Sequence, residues 1–219
     1  MSHELFDAVL RGDVAGVVKA LDAGADVDAM ETEIPGWRPL HVAIEAIDEE
    51  GAPLDVLRVL LDHGAHVNDW DRCKNSTPVL MAALRSRPES VRLLLAHGAD
   101  PDVTGSEGHT AIRWAAAEGD TAMVDILLTH GVKGSIDIGT TSEGTTPLGA
   151  AAIRGHIEVV HRLLAAGANP VAVDCDGYTA EERAKRERAR VTGELGEKLD
   201  IIIERLRAAT RAAGRAPGG

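Results

Sequence analysis

Nine histidines and two cysteines in 219 residues are the first places to look for chemistry. His63, His97 and His130 each stand directly before a glycine, in LDHG, LAHG and LTHG. An imidazole in the last turn of a helix suits the negative end of the helix dipole. The three recur one helix layer apart, roughly 10 Å in stacked packing, which is too far to share one metal ion. His156 and His161 lie five apart, with no Cys or carboxylate completing a familiar zinc spacing. Cys73 and Cys175 are far apart as well, so two free thiols in a reducing cytosol are expected. The glycine-rich run GVKGSIDIGTTSEGTT (131–146) has the look of a phosphate loop. It lacks the G-x-x-x-x-G-K-[ST] order, and no strand precedes it. There is no G-x-S-x-G, and no Ser or Cys stands in a recognisable catalytic setting. The expectation is a chain with no catalytic residue, no cofactor and no bound metal.

The elements that carry these residues repeat. Gly24, Gly64, Gly98, Gly131 and Gly167 close five Leu-rich segments and are spaced 40, 34, 33 and 36 residues apart. A period near 33 across most of a chain marks a stacked repeat array, which offers a long surface rather than a pocket. After each glycine comes a polar stretch and then a helix start: WRPLHVAIE from Trp37, STPVLMAAL from Ser76, HTAIRWAAA from His109, TTPLGAAAI from Thr145 and YTAEERAKR from Tyr178. Thr can cap exposed N–H groups, and Pro fits the first helical position, where no donor is needed. Small residues follow, then a second helix rich in Val and Leu, closed by a glycine suited to a left-handed cap.

The order T-P-L-H, an inter-helix Gly, V-x-x-L-L and G-A resembles the ankyrin repeat, and GTTPLGAAAIRGHIEVVHRLLAAGANPVAVDCDGYTA (144–180) is nearly a consensus copy. The resemblance implies an all-α ankyrin-repeat solenoid of about six helix–turn–helix repeats with short β-hairpin-like loops. One domain, 1–210, is expected: an N-cap repeat at 1–35, repeats at 36–74, 75–107, 108–143 and 144–176, a C-cap repeat at 177–210, and a disordered tail at 211–219. Arg38 stands where the family has Thr. Leu80, Arg113 and Gly149 stand where it has His, which is expected to weaken the hydrogen-bonded link between neighbouring hairpins; His41 keeps it. In the C-cap, Leu195, Leu199, Ile202, Ile203 and Leu206 form an apolar stripe for docking on the preceding repeat. Insertions fall at 47–53, near Glu33 and near 138–141, and insertions in repeat arrays map to loops.

Composition narrows the function. Hydrophobic residues make up 44% of the chain and aromatics only 2%, so Ala, Leu and Val do the burying. No apolar run approaches the roughly 18 residues of a membrane span. The start MSHELFDAVLRGD lacks a basic stretch followed by an apolar one, so no secretory signal is expected, and the cytoplasm is the expected location. The formal charge is −12 and uneven. Residues 1–180 hold 28 Asp/Glu and 13 Lys/Arg, whereas 181–219 hold 7 and 10. Residues 26–71 hold twelve acids against Arg38 and Arg58 alone. That balance repels phosphate backbones and attracts a basic partner.

Ankyrin arrays bind proteins along the face made by hairpin tips and first helices. The resemblance therefore points to Glu31, Glu33, Trp37, Glu45, Asp69, Trp70, Asp71, Arg72, Arg85, Thr104, His109, Glu118 and Tyr178 as partner-binding candidates. Trp37, Trp70 and Tyr178 are expected to be exposed anchors, and Trp114 a packing residue. The expected function is a non-catalytic module that binds a basic protein, with no nucleic acid, no membrane and a monomeric state. Two other readings stand beside it: an immunity or inhibitor protein that masks a basic toxin or nuclease, and a structural subunit, which would show a continuous apolar patch. Nothing in the motifs supports an enzyme.

Overall fold

A computed structural model of the chain describes residues 2–30, 36–46, 54–72, 75–106, 108–139 and 144–214. Among the described residues are twelve helices in six consecutive pairs, isolated bridge residues at hairpins such as the antiparallel pair Val173 and Thr179, and no sheet. This is the all-α repeat fold that the resemblance to ankyrin repeats implies. The chain divides into two compact units, Met1–Ser106 and Glu107–Gly219. In a repeat array each layer touches only its neighbours, so no single core spans the chain.

The first unit holds α1 (Ser2–Leu10), α2 (Val14–Asp22), α3 (Pro39–Ala46), α4 (Leu54–Asp62), α5 (Pro78–Leu84) and α6 (Pro88–Ala96). First helices stack on first helices (α1 on α3, α3 on α5), and second on second (α2 on α4, α4 on α6). The core between them is Leu, Val, Ile and Ala: Leu5, Val17, Ile44, Leu57, Leu60, Ala82, Val91 and Leu94 are fully buried. The second unit repeats the scheme with α7 (Ala111–Glu118), α8 (Thr121–Thr129), α9 (Pro147–Ile153), α10 (Ile157–Ala165), α11 (Ala180–Arg188) and α12 (Gly193–Ala213). Its pairs α7–α9, α9–α11, α8–α10 and α10–α12 are in contact. The stripe on α12 buries Leu199, Ile202, Ile203 and Leu206, as its spacing predicts. The helix runs three residues past Thr210, into the stretch read from sequence as tail. Arg211, Ala212 and Ala213 are good helix formers, and Arg suits the last turn.

Local signals act as expected at most helix ends. The hydroxyls of Thr110, Thr146 and Thr179 accept the N–H groups of Arg113, Gly149 and Glu182 at 3.3, 3.1 and 3.3 Å, and Glu182 completes a capping box. Thr77 departs from this: its hydroxyl makes no cap bond and is buried without a partner among the described residues. Two of the second helices, α2 and α8, use Asp instead, with Asp13 accepting from Gly16 and Asp120 from Met123, both at 2.9 Å. His63, His97 and His130 each donate Nδ1–H to the carbonyl four residues back, at 2.8, 2.9 and 2.7 Å. This is the helix-end role their position predicts. The closing glycines take φ of +85° at Gly64 and +94° at Gly167 with open space beyond them, so conformation and not crowding selects Gly.

Neighbouring hairpins are tied through the start of the first helix. In the first unit His41 Nε2–H donates to the Ser76 carbonyl at 3.2 Å, and the Arg72 N–H donates to the Gly36 carbonyl at 3.1 Å. In the second unit the Cys175 N–H meets the Gly144 carbonyl at 3.1 Å in the same register. There the expected weakening at Arg113 is not observed. Its side chain, 2% exposed, donates Nε–H to the Thr145 carbonyl and Nη2–H to the Thr145 hydroxyl, both at 3.3 Å. The longer guanidinium reaches the acceptor that a His would have reached. Arg113→Leu is expected to lower the unfolding free energy by about 1–3 kcal/mol, with Arg113→His losing clearly less. Urea denaturation of the three proteins checks this, and equal losses in the two variants would sink the link.

Candidate functional site

Helix α3 starts at Pro39 and α5 at Pro78, and this register places Trp37 and Arg38 at the mouth of one layer and Asn75–Thr77 at that of the next. Between them lies an open groove of about 240 Å³ lined by Trp37, Asp71, Asn75, Ser76, Met81, Leu84 and Arg85. Trp37 is half-buried, forming a wall rather than the free anchor expected from sequence. Met81 and Leu84 supply apolar surface. At the rim Arg85 Nε–H donates to Glu45 at 2.7 Å, joining the ends of α3 and α5. An exposed pair of this kind contributes about 0–1 kcal/mol, so a ligand can displace it at little cost.

Asp71 is the main correction among the candidates. It is 5% exposed, and its carboxylate accepts the Asn75 N–H at 2.8 Å while its own N–H meets the Ser76 carbonyl at 3.1 Å. It shapes the hairpin, with its carboxylate turned to the Asn75 backbone. Asp69 and Trp70 are half-buried because Arg38 gathers them: Nη1–H donates to the Asp28 carbonyl at 2.6 Å, Nε–H to the Trp70 carbonyl at 3.4 Å, and Nη2 pairs with Asp69 at 3.2 Å. The residue that replaced the usual Thr thus became a hub. Arg72 is exposed and lies over Gly36, where a Cβ would run into it, with Nε–H on Met30 Sδ at 3.4 Å. Glu31 and Glu33, the insertion at 47–53 and Cys73 lie outside the described residues.

In the second unit Glu118 is exposed and pairs with Arg154 at 2.9 Å. Arg154, which sequence reasoning missed, occupies the same helix-end register as Arg85 and Glu118, and that register was the available signal. Tyr178 is half-buried, with Arg186 at 4.1 Å and Arg183 at 4.9 Å from its ring centroid. Asp174 anchors that hairpin: it accepts the N–H groups of Asp176 and Tyr178, both at 3.0 Å, and pairs with Arg183 at 2.6 Å. Burial alone would raise its carboxyl, but Arg183 and the two backbone donors hold it below the usual range. Thr104 is exposed and His109 half-buried. Trp114, read as packing, is half-buried with its indole N–H enclosed.

One grouping among the described residues has metal-ligand chemistry: Asp28, His66 and Asp69, whose ligand atoms lie within 4.8 Å of one another. Its donors are engaged within the protein. Asp28 pairs with His66 Nδ1 at 2.5 Å and accepts the His66 N–H at 2.9 Å, and Asp69 pairs with Arg38. No helix among the described residues is long and apolar enough to cross a membrane.

Comparison with known proteins agrees with this geometry. A family model for ankyrin repeats in three copies matches residues 5–105 and 91–174. The chain is 33% identical over 130 residues to an ankyrin repeat, SAM and basic leucine zipper domain-containing protein from Dasypus novemcinctus, covering 58% of this chain and 26% of that protein. It is 33% identical over 153 residues to a B-cell lymphoma 3 protein homolog from Mus musculus, covering 68% and 34%. The chain spans about a quarter to a third of these curated relatives. The crystal structure of an ankyrin repeat domain from Acinetobacter baumannii matches with a TM-score of 0.80 at 28% identity, covering 95% of this chain and 98% of that one. A second solved ankyrin repeat protein matches at 0.74 and 26%, with the same coverage.

The link between His41 and Ser76, beside the groove, is expected to be sensitive to acid. His41 holds the Ser76 carbonyl through Nε2–H, while its Nδ1 is buried without a partner among the described residues. Protonation would place a second N–H where nothing accepts it. Burial pushes its pKa below the ordinary 6.5, against the raising effect of the Ser76 bond. The unfolded chain therefore binds this proton more readily than the folded one. The stability tied to neutral His41 is present above about pH 6.5 and is lost as pH falls toward the lower folded value. The urea midpoint of the wild type is expected to fall more steeply between about pH 7 and pH 5 than that of His41→Gln. Parallel profiles would contradict the assignment.

Proposed function

The chain belongs to the ankyrin repeat family, whose members generally act as protein–protein interaction modules, and we propose that it is a non-catalytic binder of a basic protein. The observation that carries this reading is the groove beside Trp37, with an apolar floor at Met81 and Leu84 and a displaceable Glu45–Arg85 pair at its rim. Such a site takes an apolar side chain of the partner, with an adjacent Lys or Arg exchanging for Arg85 on Glu45. Aromatic walls of this kind concentrate binding energy.

The acidic balance of 26–71 supplies the approach rather than the grip. Several of its carboxylates are already engaged: Asp28 by His66, Asp69 by Arg38, Glu45 by Arg85 and Asp71 by its own hairpin. The segment still carries a large net negative charge, with twelve acids against two arginines, and net charge steers encounter. A reducing cytosol suits the exposed free Cys175.

Affinity capture from the host lysate tests the reading with wild type, Trp37→Ala and Glu45→Lys in parallel. Trp37→Ala is expected to weaken the captured partner about 10- to 100-fold. Glu45→Lys should slow association and flatten its salt dependence. A partner held equally by all three proteins would move the site away from this groove.

A further inference from the structure

A second cleft, of opposite charge, lies in the last repeat. Tyr178, the chain's one tyrosine, sits beneath the guanidinium groups of Arg186 and Arg183. The same two arginines, with Arg190, Glu187 and Ile153, line a cavity of about 90 Å³. Three arginines at one small cleft repel one another unless their charges are answered.

Arg183 is answered within the protein. Its Nε–H donates to Asp174 at 2.6 Å and its Nη2–H to Asp176 at 2.5 Å. Arg190 reaches Glu187 only at 3.8 Å. Arg186 is exposed, and among the described residues no carboxylate lies within ion-pair distance of it. Its guanidinium carbon lies 4.1 Å from the centroid of the Tyr178 ring, a contact that restrains the group and uses none of its N–H donors on a carboxylate. A restrained guanidinium beside a second cation suits a planar oxyanion, which it can take in two parallel hydrogen bonds.

We propose that this cleft is a carboxylate site, the docking point for an acidic segment of a protein partner, with Arg186 as its principal donor and Arg190 assisting. The inference rests on the protein-binding reading and adds a surface of opposite sign to it. The charge count favours a carboxylate over phosphate. Arg183 is neutralised by Asp174 and Asp176, and Glu187 stands in the wall, so one or two cationic groups are left to share. That matches a monoanion.

The test is an NMR titration of the full chain with an N-acetylated hexaglutamate amide, following the Tyr178 ring resonances, which have no other tyrosine to overlap them. A saturable shift is expected, weakened at least about tenfold in Arg186→Glu and left unchanged in Arg205→Glu, which reverses an exposed charge elsewhere on α12. Arg186→Gln carries the same comparison should the reversal unfold the repeat. No saturable shift, or equal weakening by Arg205→Glu, overturns the proposal. Inorganic phosphate or a phosphoserine peptide binding as tightly as hexaglutamate overturns the carboxylate assignment. Failure here with Trp37-dependent capture intact would remove this cleft alone and leave the protein-binding reading standing.

Discussion

A pair of short helices cannot bury its apolar face by itself, and everything in this chain follows from that constraint. Each layer hides Leu, Val and Ala only by pressing against the next. Leu57 and Leu60 on α4, or Val160 and Leu163 on α10, are dry because the flanking second helices cover them. Truncating such a leucine costs about 2–5 kcal/mol, so the sequence keeps these positions apolar and spends its variety elsewhere. The chain's chemistry is left to the helix ends and hairpins, where the layers open.

Those openings are governed by arginine. Arg38 gathers Asp28, Asp69 and Trp70, Arg113 ties α7 to the following hairpin, and Arg183 joins Asp174 to Asp176. Each guanidinium has several fixed donors and can satisfy carbonyls and carboxylates at once, which a Thr or His at the same place cannot. Exposed pairs such as Glu45–Arg85 and Glu118–Arg154 add little stability. On the proposed reading they lie where a partner arrives and are exchanged for its charges.

Helix order, closing glycines, helix-end histidines and the docking stripe of the last helix were legible because each rests on local chemistry or on spacing. Gly167 and His130 announce a helix end whatever surrounds them. The candidate site was legible only in outline. Trp37, Glu45 and Arg85 do meet at one groove, but no sequence rule showed that Asp71 turns inward to cap its hairpin, or that Arg113 would reach the Thr145 carbonyl. Both depend on where a neighbouring layer puts its backbone, and that distance is not written in either segment alone. Arg186 over Tyr178 was missed for a similar reason: in sequence it is one charge in a run of charges, and only the fold lays it on the ring.

On the proposed reading recognition occurs where α3, α5 and their hairpins open, with Trp37 as the wall of the site. Hydrogen exchange of the protein with and without its captured partner measures this most directly. Slowed exchange is expected in residues 36–46 and 75–85 on binding, with α2, α4 and α6 unchanged. Slowed exchange confined to the second helices, with 36–46 and 75–85 exchanging as in the free protein, would contradict it.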